Sequence, residues 1–366
     1  MLDSITIEGF KSIASLQELK LGPVNVLIGP NGSGKSNFIG VFSFLHAIRL
    51  GRLQEYVKRV GGAERILHFG SRTTGNLTVH LSFENQRNQY EIRLDATEAD
   101  DLFPVGETTL FRDKTNNNRP NEYPLFGRNG EAGISLPYSS GVPEYVQSCL
   151  DSWRIYHFHD TSSVSPMRKT TAVGNNRFLR ANGSNLAAFL YFLRLKHETE
   201  YNLIRRTVQL VAPFFDDFLL QPMAENEDFI RLEWIHKGTD AYFNASSFSD
   251  GTLRFIALAT LLLQPESLRP SVILMDEPEL GLHPFAITLL ASLVKNASVS
   301  TQAILATQSP ILLNHFQPED VLVADRVNGQ TQFKRLNAER LKDWLEDYNL
   351  GQLWEKNEFG GCPSRE

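Results

Sequence analysis

Gly29 opens the stretch "LIGPNGSGKSN", which runs on through Pro30, Asn31, Gly32, Ser33, Gly34, Lys35, Ser36 and Asn37. The spacing is G-x-x-x-x-G-K-S, and it is chemical. The glycines let backbone N–H groups wrap phosphate oxygens, the lysine reaches β- and γ-phosphates, and the serine hydroxyl can ligate magnesium. Such a site needs a second carboxylate at the end of another strand. "VILMDEP" supplies it: apolar residues, then Asp276 for the metal and Glu277 to orient or deprotonate a water. A third stretch, "FSDGTLRFIALATLLL", carries Ser249, Asp250 and Gly251 just after Phe248 and then turns apolar on nearly every side. It is too short to span a bilayer. The start of a helix carries unsatisfied N–H groups and partial positive charge, so this turn can hold an anion. The same Ser249 also reads as an ordinary N-cap on a core helix.

These residues need strands that end together and helices that start there. "SITIEGF" and "PVNVLIG" read as strands, and a helical pattern follows Lys35 to about Leu50, with a second, more basic one through Val60. "NLTVHLSF" and "QYEIRL" alternate with period two and form a hairpin about "ENQRN". "SVILMDEP" and "QAILATQSP" read as buried strands, each ending in a loop. "DVLVADR" and "TQFKRL" form a hairpin about "VNGQ", and a last helix spans roughly Ala338 to Tyr348. Three divisions follow: 1–95 with the phosphate loop and hairpin, an insertion over 96–247, and 248–366 with the acidic strand. Within the insertion, 96–150 reads as loop with little regular structure, 153–159 as a strand, and 184–215 as helical.

The chain has 366 residues and 36 Lys+Arg against 42 Asp+Glu, a net charge of −6. It is not coated for nucleic acid, so any basic face is local. Two cysteines, Cys149 and Cys362, argue for a reducing compartment and against a disulfide framework. The opening residues lack the pattern of a signal peptide, and no segment is long enough to cross a membrane. The expectation is a globular, cytoplasmic protein.

The order of phosphate loop, "FSDGTLR", "VILMDEP" and "ATQSP" resembles the ABC-type ATPases. "IEGFKSI" and "DEPELGLHP" resemble the RecF, SMC and OLD-type branch, and "WRIYHFHDTS" and "FGGCP" resemble its stand-alone predicted ATPases. The resemblance implies an α/β P-loop NTPase: an ABC-type ATPase head with a mixed central sheet, an antiparallel β subdomain and a helical and loop insertion. ATP and Mg2+ are the implied cofactors. By the same resemblance, Ser249, Asp250 and Gly251 stand in the signature turn, which caps the γ-phosphate bound to the opposite subunit of an ATP-dependent homodimer. Asp250 replaces the usual glycine. Gly281-Leu282-His283 fall at the D-loop, and Gln308 replaces the usual switch histidine, with Glu277, Gln308 and His283 as the catalytic candidates. Lys11 and Ser12 would lie near the nucleotide. The Q-loop residue is not evident, with Gln86, Gln89 and His159 next to Asp160 as candidates.

Other features stay open. On a strand His157 and His159 face one side, as metal ligands or as packed histidines. Arg168, Lys169, Arg177 and Arg180 sit amid Gly, Ser and Asn and could track a DNA backbone, or could line a solvated loop. Arg49, Arg52, Lys58, Arg59 and Arg65 make a second basic stretch. After Pro310 the sequence has no room for a Toprim nuclease, and no heptads give a coiled-coil arm. The leading reading is an ATP-hydrolysing switch in DNA repair or phage defence, with a separate effector or nuclease partner. The alternative is a slow, ATP-gated scaffold for a protein partner without DNA. A transporter subunit fits less well.

Overall fold

The computed structural model describes residues 1–113 and 120–362. The chain forms two compact units, Met1–Trp153 with Gln317–Glu366, and Arg154–Phe316.

In the first unit, "SITIEGF" lies in the strand Leu2–Phe10. This strand pairs antiparallel with Ile13–Lys20 on one side and Asn76–Phe83 on the other. The "ENQRN" hairpin joins Asn76–Phe83 to Asn88–Ala96 in antiparallel register. Leu77, Val79 and Leu81 alternate into the core, as period two requires. The phosphate-loop strand Val24–Ile28 is buried along its whole length and runs parallel to Val321–Val327. Burial on both faces explains its unbroken apolar run. Val321–Val327 turns back antiparallel as Gln330–Arg335. The helix Lys35–Arg49 buries Phe38, Val41, Phe42, Phe44, Leu45 and Ile48, a broad apolar stripe at helical spacing. Phe38 meets Phe333 of the hairpin at 5.2 Å between ring centroids, fixing the helix to the strand pair that flanks the loop. At the other end, Ala338–Asp347 is followed by a short helix, Leu350–Glu355, that the sequence pattern did not suggest.

The segment between Asp95 and Tyr145, expected to hold little regular structure, contains the strands Leu102–Phe111 and Asn121–Pro124 and the start of the helix Gly141–Asp151. Pro104 and Gly106 suggested a loop. They are tolerated because, among the described residues, the pairing with Asn121–Pro124 covers Thr108–Phe111 and no strand pairs with the Pro104 end on that side. The part of that expectation covering "KTNNNR", 114–119, lies outside the described residues.

In the second unit, Val272–Asp276 and Gln302–Ala306 run parallel and in register, with Trp153–Tyr156 next in order. That last strand stops at Tyr156 instead of reaching His159. The carbonyls of Phe158 and His159 are taken by the Arg254 guanidinium, not by a neighbouring strand. The helical stretch divides into Leu186–Lys196 and Glu198–Val211. Two small three-stranded sheets follow, which the sequence reading did not foresee. Trp234 of one stacks on Phe248 at 4.8 Å, just before the polar turn, and its indole N–H donates to Ser247 at 2.9 Å. The helix Asp250–Leu263 is then buried from Leu253 to Leu262. Among the described residues, no helix is long and apolar enough to cross a membrane.

The parallel pair carries the acidic residues, so its packing is the stability test. Leu274 is fully buried. Leu274→Ala is expected to cost about 3 kcal/mol, read as a lower urea midpoint with an unchanged slope.

Candidate functional site

The phosphate loop is built within the first unit. Gly34 has φ +107, and a Cβ there would overlap the hydroxyls of Thr331 and Ser12. Only glycine fits, because the backbone is left-handed and the space is already taken. Thr331 Oγ lies 2.8 Å from the Ser33 carbonyl and 2.7 Å from Ser12 Oγ, and Asn37 Nδ2 donates to Ser12 at 2.7 Å. The Thr331 hydroxyl, with its one proton facing both Ser12 Oγ and the Ser33 carbonyl, is the hub of this small network. The loop is therefore tied to the "GFKS" turn and to the terminal hairpin. Thr331 had no sequence signal, since it is distant in the chain and belongs to no motif.

Lys35 is buried, and its Nζ donates to the carbonyls of Gly29 at 2.6 Å and Pro30 at 3.0 Å. The ammonium thus sits on the loop itself. The Ser33 hydroxyl is buried and has no hydrogen-bond partner. A tight turn at Gly34 that only glycine fits, a lysine ammonium drawn in against the loop carbonyls and an orphaned Ser33 hydroxyl together suit a bound phosphate. Lys11 does not join this cluster. It has φ +48, burial lowers its pKa, and its Nζ lies over the Phe10 ring beside Gly40.

The second cluster is built within the second unit, at the ends of the parallel strands. Asp276 pairs with Ala306, and the next N–H, that of Glu277, donates to the Ala306 carbonyl at 2.8 Å. Glu277 has φ +43, a left-handed conformation that a non-glycine residue adopts at a cost of about 1 kcal/mol. This turns its carboxylate to accept from Gln308 Nε2. Below it, the Thr307 hydroxyl donates to Glu279 Oε1 at 2.5 Å. Glu279 is buried, its Oε2 is unpartnered, and burial pushes its pKa up. Sequence reasoning passed over Glu279 because an acidic residue in a loop reads as solvated.

His159 donates from Nε2 to the Asp276 carbonyl at 2.7 Å, with its ring 6.0 Å from that of His157. This brings one Q-loop candidate to the acidic strand. Gln86 and Gln89 instead serve the β-hairpin of the first unit, through Asp3, Glu18 and His80. His283 caps the helix Pro284–Ala297, its Nδ1 accepting from the Phe285 N–H at 3.2 Å.

The polar turn is also in the second unit. Ser249 Oγ accepts from the Thr252 N–H at 3.1 Å, so the N-cap is real. Gly251 packs on the Gly281 carbonyl so closely that a Cβ would overlap it, which joins this turn to the loop after the acidic strand. Of the basic residues considered for DNA, Lys169, Arg177 and Arg180 are exposed, but the Arg168 side chain is only 8% exposed and turned inward.

Comparison with known proteins places this geometry. A family model described as "AAA domain, putative AbiEii toxin, Type IV TA system" matches residues 24–314. The chain is similar to the Chromosome partition protein Smc of Desulfitobacterium hafniense, with 41% identity over 90 residues, 23% of this chain and 7% of that protein. It is also similar to Urease accessory protein 2 of Cryptococcus neoformans, with 30% identity over 179 residues, 46% of this chain and 13% of that protein. The matches thus span only a small part of these curated relatives. Among solved structures, an Smc head bound to the C-winged helix domain of ScpA superposes with a TM-score of 0.60 at 15% identity, covering 93% of this chain and 99% of that one. An Smc head with an extended coiled coil, bound to the C-terminal domain of ScpA from Pyrococcus furiosus, gives 0.56 at 13% identity, covering 94% and 98%. The fold is that of the P-loop, ABC-type ATPase heads.

Two tests follow. Lys35→Ala removes the mobile cation and should abolish or greatly weaken nucleoside triphosphate binding in calorimetry; unchanged affinity removes Lys35 from the site. Glu279 binds its proton more readily folded than unfolded. Stability should therefore fall as pH rises from the unfolded carboxylate value through the raised folded one. Glu279→Gln should flatten that part of the profile in thermal melts at graded pH, and an unchanged profile would mean that burial of Glu279 does not set it.

Proposed function

Because the chain belongs to the AAA-domain family whose model it matches and is an SMC/RecF-like ABC-type ATPase, we propose that it binds and hydrolyses ATP with Mg2+ and works as a nucleotide-driven switch. The observation that carries hydrolysis is Glu277, held left-handed at the end of the acidic strand with its carboxylate on Gln308. ATP supplies the phosphoanhydride, and Mg2+ neutralises its charge. The chain's own residues do the rest. Lys35 leaves the carbonyls of Gly29 and Pro30 for β/γ-phosphate oxygens, and the backbone from Pro30 to Gly34 wraps them. Ser36 and Asp276 offer hard oxygen donors to Mg2+, which takes few protein ligands beside phosphates and water. Glu277 orients and deprotonates the attacking water once Gln308 releases it, and Gln308 then hydrogen-bonds a γ-phosphate oxygen. His283 caps its helix through Nδ1, which leaves Nε2 as the atom through which it would act as a further catalytic candidate. Ser12 braces the phosphate loop, and Lys11, whose Nζ lies over the Phe10 ring, would contact the nucleotide only by turning away from that ring.

The same reading makes the Ser249–Gly251 turn the cap for ATP held by a second copy. The helix start, the Ser249 hydroxyl and the close seat of Gly251 on Gly281 support it. Two copies would sandwich two ATP molecules and separate after hydrolysis. The output is coupled to an effector or nuclease partner in DNA repair or phage defence in the cytoplasm, with Lys169, Arg177 and Arg180 as the exposed DNA candidates. An ATP-gated scaffold is favoured instead if Gln308 keeps Glu277 occupied.

Glu277→Gln should retain ATP binding and lose turnover by about 10²-fold or more, measured as phosphate release at saturating ATP. A wild-type rate moves the base role elsewhere. Ser249→Arg fills the space meant for the facing phosphate. It should leave ATP binding intact while ATP-dependent dimerisation, followed by light scattering, and hydrolysis fail together. Dimerisation like the wild type reduces the turn to a helix cap.

A further inference from the structure

Asp250 stands where related signature turns carry glycine. A carboxylate in the first helical turn is good for the helix, because it meets the positive end of the dipole. It is bad for a phosphate arriving at the same place, because like charges repel. The structure resolves this conflict with a residue 82 positions earlier, Arg168.

Arg168 closes the short turn Pro166–Arg168 in a polar segment with no sequence motif. Its guanidinium is nearly buried, and every nitrogen has a partner. Nε donates to the Thr161 carbonyl at 3.0 Å, and Nη1 donates to the Ala245 carbonyl. Nη2 donates to the Phe248 carbonyl at 3.2 Å and to Asp250 Oδ1 at 3.0 Å. Three of these four partners lie within the six residues that lead into and begin the helix. One side chain therefore holds the backbone before and after Ser247 and also meets the Asp250 carboxylate just past Ser249. A lysine, with a single point of attachment, could not span the same set. The Asp250 side chain is 67% exposed, so its carboxylate faces outward from an inward-held cation.

We propose that Arg168 is a positioning residue for the signature turn. It holds Ala245 to Asp250 in one geometry and offsets the Asp250 charge, so that the turn can accept the anionic phosphate oxygens of ATP held by a second copy of this chain. This rests on the trans-capping reading above. It also gives the polar segment from Asp160 to Arg168 a role inside the ATPase machinery, separate from nucleic-acid contact.

The test compares Arg168→Gln, Asp250→Asn and the double variant in the full chain. Calorimetry reads ATP affinity, and light scattering at graded concentration reads ATP-dependent dimerisation. Arg168→Gln should weaken dimerisation at least tenfold with ATP affinity unchanged. Adding Asp250→Asn should recover most of that loss, because the repulsive charge is gone. A tether with no electrostatic role predicts no recovery, so a double variant as weak as Arg168→Gln overturns the proposal, as does Arg168→Gln dimerising like the wild type. Should Arg168→Gln not fold, Asp250→Asn alone decides. It should dimerise within threefold of the wild type, and a tenfold loss would make the carboxylate itself the required contact and overturn the proposal. Ser249→Arg in parallel separates the two levels. If it too dimerises with ATP, the trans-capping reading has failed; if it does not while Arg168→Gln does, only the role of Arg168 falls.

Discussion

The in-register parallel pairing of Val272–Asp276 with Gln302–Ala306 fixes what every residue beyond it can reach. With Asp276 opposite Ala306, the next N–H bonds back to the Ala306 carbonyl. That bond holds Glu277 left-handed and aims it at Gln308, and it drops Thr307 onto Glu279. A one-residue slip would reverse every side chain in the pair. The buried Thr307–Glu279 contact guards against such a slip, because breaking it would take the hydroxyl donor from a buried carboxyl whose other oxygen, Oε2, already lacks a partner. The chemistry of the acidic end is therefore a consequence of register, and the exposed Gln308–Glu277 contact is the part free to change.

The phosphate loop depends on a different constraint, the scarcity of space around it. Thr331 and Ser12 press on Gly34, and Thr331 holds the Ser33 carbonyl. The C-terminal Gly361 docks near the loop as well. Its N–H donates to Asp325 at 2.8 Å, its carbonyl accepts from Trp354, and a Cβ on it would come within 3.6 Å of the Gly29 Cα. Residues far apart in sequence thus shape the cradle, while the motif itself supplies the donors.

That division explains what the sequence could reveal. The phosphate loop, the acidic strand end and the "ENQRN" hairpin were legible because each is local: a motif and the elements that flank it. Their elements lie where periodicity put them, as with Lys35–Arg49 and Asn76–Phe83. Thr331, Glu279 and Arg168 were not legible, because each acts through long-range contacts that leave no pattern in its own neighbourhood. In sequence Arg168 groups with Lys169, Arg177 and Arg180 as a basic segment for a DNA backbone or a solvated loop, and only its partners separate it from them. The strand Leu102–Phe111 was missed for the opposite reason. Pro104 and Gly106 signal a turn locally, and the lack, among the described residues, of a pairing strand on one side of that end, which allows them, is a tertiary fact.

The central claim is that one chain's signature turn completes the other chain's ATP site. Mixing tests it most directly. A Ser249→Arg chain keeps its phosphate loop and loses its cap, while a Lys35→Ala chain keeps its cap and loses its phosphate loop. Each alone should be inactive. In the mixed dimer, one composite site joins the intact loop of the first to the intact turn of the second. ATP turnover measured across mixing ratios should peak near equal amounts, well above the sum of the two chains measured separately. Turnover that never exceeds that sum would contradict the account.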